Sequence, residues 1–470
     1  MSGPGRDRVS LLVPIIAGAA FGAASTALPL GDNDVFWHLA TARETLAHGL
    51  IRTDLFSWTV AGQPIPTDQW LGQLLWYWAY LAGGWSGILG LRTITVALIA
   101  GTVVWTALRE RPRNPLVAVG AALPALILLR VVSVERPELF GFLCFALLVA
   151  LLRSARAASR RALVALPFLI AIWAELHGSF AVGLILVLAM CVEGWIRDDP
   201  ARRRGYLLVA MAATAATLLT PSGPGVWLGP GSHLTDPPRM IQEEGVPDVT
   251  TFPGLVFAVA IILTFGVAAL TRRRRPGAVV LLVPVLLLSL TAIRQTPYFV
   301  IAAAPFLAGQ ASETLTAVRA RGRTGRVIPP PGRRLDLAAG IIGLVVLAGA
   351  VAAGPAGPDL RRYPSATLAS LTPGPGLLND YDWGGFLIWS SPATPVFIDG
   401  RLIPYRPTVV GDYVSILEAR PGWRELVARR GIREMLVRAD APVSVRARDL
   451  GWPVRAVDDA AVLISVPGAP

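Results

Sequence analysis

Apolar runs alternate with short Arg-bearing segments over most of the first 353 residues. A bilayer core about 30 Å thick takes about 20 helical residues, fewer where a helix is held inside a bundle. Runs of that kind lie near 9–29, 86–108, 115–132, 137–152, 162–175, 180–196, 206–220, 253–271, 277–293, 298–311 and 335–353. They predict an all-α polytopic membrane bundle of about eleven transmembrane helices. The runs around 162–196 read either as two spans or as one broken pair. The connecting charges set an orientation. With Arg6 and Arg8 in the cytoplasm, the even-numbered gaps hold Arg109, Arg111 and Arg113; Arg153, Arg156, Arg160 and Arg161; Arg197 and Arg202 to Arg204; Arg272 to Arg275; and Arg319, Arg321, Arg323, Arg326, Arg333 and Arg334. The odd-numbered gaps hold few, which is the positive-inside pattern, and an odd count of spans puts residues 354–470 outside.

Two outer segments are long. Residues 30–85 form a first loop and 221–252 a second, rich in Pro and Gly. The aromatic cluster within WLGQLLWYWAYLAGG (70–84) predicts an interfacial or re-entrant helix, because Trp and Tyr favour the headgroup level. Residues 1–353 with these two loops read as the transmembrane domain. The pattern then changes: 354–376 is a Pro/Gly-rich linker, and 377–470 reads as a small extracytoplasmic α/β domain. GFLIWSS, PVFIDGR, REMLVRA and AVLISV read as strands. DYVSILEARPGWRELVARRG reads as helix broken at Pro421.

Composition supports this picture. The chain is 53% hydrophobic and only 16% charged, against about 25% charged in soluble domains. All 43 basic residues are Arg, and the net charge is +12. Most of those Arg residues sit between apolar runs, so the charge reports topology and not nucleic-acid binding. Cys144 and Cys191 lie inside apolar runs and offer no disulfide framework or metal site. No cleavable signal peptide is evident, since the first apolar run is long enough to span.

The chemistry begins where the first span ends, in GDNDVFWH (31–38). Asp32 and Asp34 stand at the edge of the hydrocarbon, where carboxylates are costly. A helix starting near Asn33 puts Asp34, His38, Thr41 and Thr45 on one stripe beside the apolar stripe Val35, Leu39, Ala42 and Leu46. Such a helix can lie along the membrane surface and present a carboxylate and an imidazole together. The D-x-D spacing of Asp32 and Asp34 suits a divalent cation, Mg or Mn, or leaves one carboxylate as a base. The competing reading is a helix cap, which suits Asp32 better than Asp34. On the predicted topology, Arg136 and Glu138 of ERPE, Glu175 and His177 of WAELHG, and Arg294 also face outward, as do Arg239, Glu243 and Glu244. Arg294 and Arg136 suit a phosphate, since guanidinium offers several donors and stays charged. In the tail, Asp382 to Gly385 and Asp399-Gly400-Arg401 read as tight turns, or as loops that close a site from above.

An acidic pair just after the first span, on a long first outer loop, resembles the GT-C superfamily of membrane glycosyltransferases. The string DVFWHLATARETLAHGLIRTDLFSWTVAGQPIPTDQWLGQLLWYWAYLAGG (34–84) resembles the first loop of a bacterial group within it, as do ERPELFGF, WAELHGSF, RQTPYFVIAAAPFLA and NDYDWGGFLIW with VFIDGR. Glu175 and Thr220 stand where similar sequences often carry Asn. The resemblance implies a multi-pass bacterial plasma-membrane enzyme that takes a sugar from a polyprenyl-phosphate carrier, inverts its anomeric centre and passes it to a glycan, lipid or protein acceptor. It maps the base or metal ligand to Asp34, with Asp32 beside it. Arg294 and Arg136 would hold the phosphate, and His38 would orient Asp34 or bind the sugar. Two other readings compete: a transporter or flippase, and an envelope assembly protein that keeps the fold without the chemistry. Against transport, the hydropathy shows no inverted repeat and no charge near the span centres.

Overall fold

The computed structural model describes residues 10–157, 159–197, 200–230, 245–271, 276–319 and 333–468. Arg6, Arg8, Arg239, Glu243, Glu244, the run Arg272 to Arg275, and Arg321, Arg323 and Arg326 lie outside the described residues. The chain divides into two compact units. A helical unit comprises residues 1–28 and 86–355, and a mixed unit comprises 29–85 and 356–470.

The helical unit holds α1 (Leu12–Ser25) and, after α2 of the mixed unit (Val35–His48), the later part of α3 (Trp70–Leu108). It continues with α4 (Pro115–Val132), α5 (Glu138–Arg156), α6 (Arg160–Leu176), α7 (Phe180–Arg197) and α8 (Pro200–Ala216). Four more helices follow, Phe252–Leu270, Pro276–Ser289, Thr296–Arg319 and Arg333–Ala352. Thr296–Arg319 is the hub, packing on α4, α5, Phe252–Leu270 and Pro276–Ser289. Small residues allow close approach where α1 meets α3: a Cβ on Gly18 would lie 2.6 Å from the Ala97 carbonyl, and one on Gly22 2.8 Å from that of Thr93. In α6 and α7, Trp173 fills the space that Gly183 leaves beside Ile170.

Among the described residues, five helices are long and apolar enough to cross a membrane. The bent pair Pro200–Leu219 and Gly223–Pro230, at 103°, raises this to six. Leu12–Ser25, Phe180–Ile196 and Val279–Ser289 are apolar but shorter. The expected eleven spans counted these as full crossings. Hydropathy marks where a helix is apolar, but neighbouring helices and capping turns decide how long it runs. The runs at 162–175 and 180–196 form two helices joined through His177, Gly178 and Ser179.

The ends of the unit are chemically distinct. Glu110, after α3, pairs with Arg153 of α5, and Arg156 of α5 pairs with Glu193 of α7. Away from that end, Arg92 is fully buried, pairs with Glu135, and donates to the Ser25 and Leu28 carbonyls at 3.0 and 3.1 Å. It thereby adds donors to carbonyls at and just past the end of α1, where the helical ladder runs out. Arg92 itself lies within the apolar run 86–108, and its partner Glu135 in the turn between two later runs.

The sequence reading draws its boundary at 353/354 and keeps the first outer loop with the spans; packing groups residues 29–85 with 356–470. The break is made in α3, where Gly83 and Gly84 (φ 57°) leave the helix. Residues 70–82 form one helix in the mixed unit and residues 85–108 continue as the span. A four-stranded sheet of order β1-β2-β4-β3 lies in the tail: β1 (Leu377–Asn379), β2 (Glu434–Val437), β3 (Val454–Val457) and β4 (Val462–Ser465). β1 and β2 are parallel, and β4 is antiparallel to both β2 and β3. EMLV and VLIS, within two of the expected runs, are strands. GGFLIWS is instead the helix Gly384–Ser390, and PVFIDGR holds one parallel bridge, Val396 to Ser57. Helix wins at 384–390 because this segment packs on α2, where Gly385 would overlap the Asn33 carbonyl if it carried a Cβ. The helical stretch breaks at 418–422 as Pro421 predicts, and Gly422 (φ 86°) starts the next helix, Trp423–Arg430.

First loop and tail share one core. Phe36 meets Tyr363 at 5.1 Å and Phe386 at 5.4 Å, and Tyr363 stacks on Phe386 at 4.8 Å. Trp58 Nε1 donates to the Leu377 carbonyl at 3.0 Å, and Thr59 Oγ1 to that of Phe397 at 2.6 Å. Each group finds in the other its hydrogen-bond partners and its apolar cover.

Candidate active site

The start of α2 is built by its own sequence. Gly31 (φ 85°) turns the chain under Pro358, and Tyr363 donates to the Gly31 carbonyl at 2.6 Å. Asp32 Oδ1 then accepts the Asp34 N–H at 3.1 Å, and Val35 N–H bonds the Asp32 carbonyl at 3.1 Å. This is a local Asx turn, so Asp32 does the work of opening the helix. Asp34 occupies the N-cap position but makes no side-chain cap bond. Its carboxylate turns instead toward Trp37, whose Nε1 donates to Oδ1 at 3.0 Å.

The tail supplies the other wall. Asn379, fully buried, donates to the Ile398 carbonyl at 2.8 Å and accepts the Phe397 N–H at 2.7 Å. It thereby holds the strand-like approach to Asp399-Gly400-Arg401. Gly400 lies directly against Asp34: a Cβ there would overlap Oδ1 and stand 3.2 Å from Trp37 Nε1. Leu402, next but one, is buried at φ 40°, a backbone state that a branched side chain adopts only when its surroundings enforce it.

The enforcement is ionic. Arg401 is buried and pairs with both Asp54 and Asp399, with Nε to Asp399 Oδ1 at 2.7 Å. Tyr405 donates to Asp399, and Asp54 accepts from Ser57 N–H at 2.9 Å and Oγ at 2.6 Å. Burial alone would lower the Arg401 pKa, but the Asp399, Tyr405 and Asp54 oxygens hold it well above the ordinary value. Burial, with the two carboxylates, pushes the Tyr405 phenol well up. The cation is therefore permanent, and it ties first-loop Asp54 to the tail loop that abuts Asp34.

His38 is buried and its Nδ1 lies 3.2 Å from Gln73 Nε2. This contact links the two first-loop helices through their side chains. Trp37 covers the His38 ring at 3.6 Å. The whole first half of α2, Val35 to Ala42, is buried, so the predicted surface-lying helix with one polar stripe is instead enclosed by its own unit. Sequence reasoning missed Trp37 and Gln73, although both stand inside the quoted motif.

The remaining sequence candidates lie in the helical unit. Glu138 begins α5, His177 ends α6, and Arg294 sits in the turn before Thr296–Arg319. Ser179 Oγ is 2.9 Å from His177 Nδ1 and accepts from Trp173 Nε1 at 3.0 Å. Gly141 of α5 makes room for this group, since a Cβ there would overlap Ser179 Oγ and stand 3.5 Å from His177 Nδ1. The fully buried Tyr298 has Glu138, Ser179 and Arg294 as its polar neighbours. Glu138, His177 and Arg294 thus gather around residues that sequence reasoning did not single out, Ser179 and Tyr298. Arg136, in the turn before α5, and Glu175, in the last turn of α6, are half-buried.

The described residues hold no group of three or more His, Cys, Asp or Glu placed to share an ion. Mg is commonly held by one or two carboxylates together with substrate phosphate. Asp32 and Asp34, each with one oxygen already accepting an N–H, could offer that much and no more.

No family model and no curated protein sequence matches the chain. Solved structures do. The oligosaccharyltransferase of Archaeoglobus fulgidus, tethered to an acceptor peptide containing the NVT sequon, superposes with a TM-score of 0.61 at 13% identity, over 92% of this chain and 69% of that one. ArnT from Cupriavidus metallidurans in the apo state superposes with a TM-score of 0.55 at 15% identity, over 97% of both chains. At these identities the likeness is one of fold. With its apolar helices, the chain is a multi-pass membrane protein that has the GT-C fold.

Proposed function

We propose that the protein is a membrane glycosyltransferase that moves a sugar from a polyprenyl-phosphate-linked donor to an acceptor hydroxyl or amide on the extracytoplasmic side of a bacterial plasma membrane. The observation that carries this is the Asp34 carboxylate, at the mouth of α2, held between the Trp37 indole and the Gly400 backbone. A carboxylate kept in one rotamer at a helix start, without capping that helix, is what a positioned base requires.

In this reading Asp34 takes the proton from the acceptor. The acceptor atom attacks the sugar C1 from the face opposite the phosphate, so the configuration inverts. The C1–O bond to the phosphate breaks and polyprenyl phosphate leaves. Asp34 would act alone or with a divalent cation held beside Asp32, which would supply charge neutralisation near the phosphate. Within the helical unit, Arg294 and Arg136 are the groups suited to the phosphate, since guanidinium gives parallel donors and a permanent charge. His177, Glu138 and Glu175 are the groups suited to the sugar hydroxyls. His38, held against Gln73 and under Trp37, is a positioning residue for α2.

The test uses the full-length protein in proteoliposomes made from host lipids that contain native lipid-linked sugars, with the released envelope acceptor fraction added. Mass spectrometry follows free polyprenyl phosphate. The reading predicts its release by wild type and a fall of more than a hundredfold with Asp34→Asn. Movement of intact lipid-linked sugar across the bilayer, with no free polyprenyl phosphate, would establish the flippase reading instead.

A further inference from the structure

The mixed unit contains a second feature that the transfer chemistry does not use. A cleft of about 530 Å³ opens beside Asn33, one residue before Asp34. Its walls carry Arg361, Arg362 and Arg438 against Asp382, Asp440 and Asp459. The size falls in the range of roughly 300–1,000 Å³ usual for small-molecule sites, which are mostly apolar. Around the Trp383 ring and two alanines the lining is charged and polar, so it does not suit a prenyl chain.

The charges also balance, three against three. Some are spent internally. Arg438 donates to Asp382 at 2.7 Å and to Asp380 at 3.2 Å, and Arg361 to Asp359 at 3.0 Å. Arg438 lies over the Trp383 ring at 5.4 Å, and Trp383 Nε1 is tied to the Arg362 carbonyl at 3.2 Å, which makes a firm floor. Arg362 and Asp440 remain exposed at the walls. With Asp359 and Asp380 beside the three lining carboxylates, no cationic surplus is left to select phosphate, and among the described residues no three acidic groups are placed to share a metal ion. The cleft offers fixed donors and fixed acceptors side by side. A hydroxyl both donates and accepts, and a row of hydroxyls satisfies guanidinium and carboxylate together.

We infer that this cleft binds an oligosaccharide, with carboxylates and guanidiniums reading its hydroxyls. Its place beside Asn33 makes that saccharide the acceptor glycan, a role that rests on the transfer reading above; the binding itself does not. Arg362 and Asp440 then discriminate glycan from peptide and lipid acceptors.

The experiment immobilises the full-length protein in nanodiscs. It is presented with oligosaccharides released by mild acid from the envelope of a strain lacking the gene and, separately, with tryptic peptides from the same envelope. Mass spectrometry identifies what is retained. Wild type retains a saccharide, and the double variant Arg362→Ala/Asp440→Ala retains it at least tenfold less. Both side chains are exposed, so the variant folds with little change, which thermal unfolding checks. Asp34→Asn keeps the saccharide, because the lining is intact. Equal retention by the double variant, retention of peptides alone, or retention of nothing by wild type overturns the inference. Failure of the transfer reading shows separately, as polyprenyl phosphate release that survives Asp34→Asn.

Discussion

Gly400 is the most direct lever on the Asp34 carboxylate. Replacing it with Ala puts a Cβ inside contact distance of Asp34 Oδ1, 3.0 Å from Asp34 Cγ and 3.2 Å from Trp37 Nε1. The backbone there is pinned by Asn379 and by the Arg401 ion pairs, so the carboxylate is the part that yields. Turning it away gives up the Trp37 bond, a hydrogen bond to a charged group that is worth about 1.5–3 kcal/mol. Overpacking a well-filled site costs about 1–3 kcal/mol. We expect Gly400→Ala to lose about 2–3 kcal/mol of stability and to keep its fold, while a base displaced by about 1 Å lowers turnover on the order of a hundredfold. Gly411→Ala is the control, since nothing lies within 4 Å of a Cβ there and the residue is inside a helix. It should gain about 0.5–1 kcal/mol. Thermal unfolding in detergent and polyprenyl phosphate release measure the two effects. A Gly400→Ala protein with wild-type turnover would refute the idea that this loop sets the Asp34 rotamer.

Trp37→Phe keeps most of the buried ring but removes the Nε1 donor to Asp34, and turnover should fall at least tenfold while the melting temperature drops by a few degrees; wild-type turnover would remove Trp37 from the positioning scheme. Arg401→Met leaves Asp54 and Asp399 buried without their cation, at a cost of about 3–5 kcal/mol, and the triple change with Asp54→Asn and Asp399→Asn should recover part of that in unfolding experiments. Burial raises the Asp380 pKa above its ordinary value despite Arg438, so its folded carboxyl holds its proton more tightly than the unfolded one. The stability this contributes is present below about pH 4 and is lost as pH rises through the raised value, so the melting temperature of Asp380→Asn relative to wild type should climb over that window.

The local part of the candidate site is legible in the sequence because neighbouring residues of one motif build it. Asp34 drew attention as a carboxylate at the end of an apolar run. Its partner Trp37 is one helical turn away within the same motif. The cap reading that suits Asp32 better than Asp34 fits the structure, where Asp32 accepts the Asp34 N–H. What the sequence does not carry is the pairing of segments more than 300 residues apart. Tyr363 with Gly31 and Trp58 with Leu377 place the tail on the first loop, and no periodicity records that. The same pairing turned GGFLIWS from an apparent strand into a helix, since its two glycines fit a close approach to α2 and to Asp399. β1 is only three residues long and β3 is largely exposed, so neither presented an alternating pattern. Span length is set by packing as well as by apolar character: among the described residues Leu12–Ser25 is apolar over 14 residues only. Arg92 shows how one buried cation can serve a helix end inside an apolar run and escape a reading based on average hydropathy.

The central claim is that Asp34 is the base of a sugar transfer. It is tested most directly by the envelope glycans and glycolipids of three strains: the deletion, the deletion with wild type restored, and the deletion with Asp34→Asn at equal membrane abundance. The account predicts that mass spectrometry finds one glycan short of a sugar in the deletion, complete with wild type and still short with Asp34→Asn. Full restoration by Asp34→Asn would contradict it.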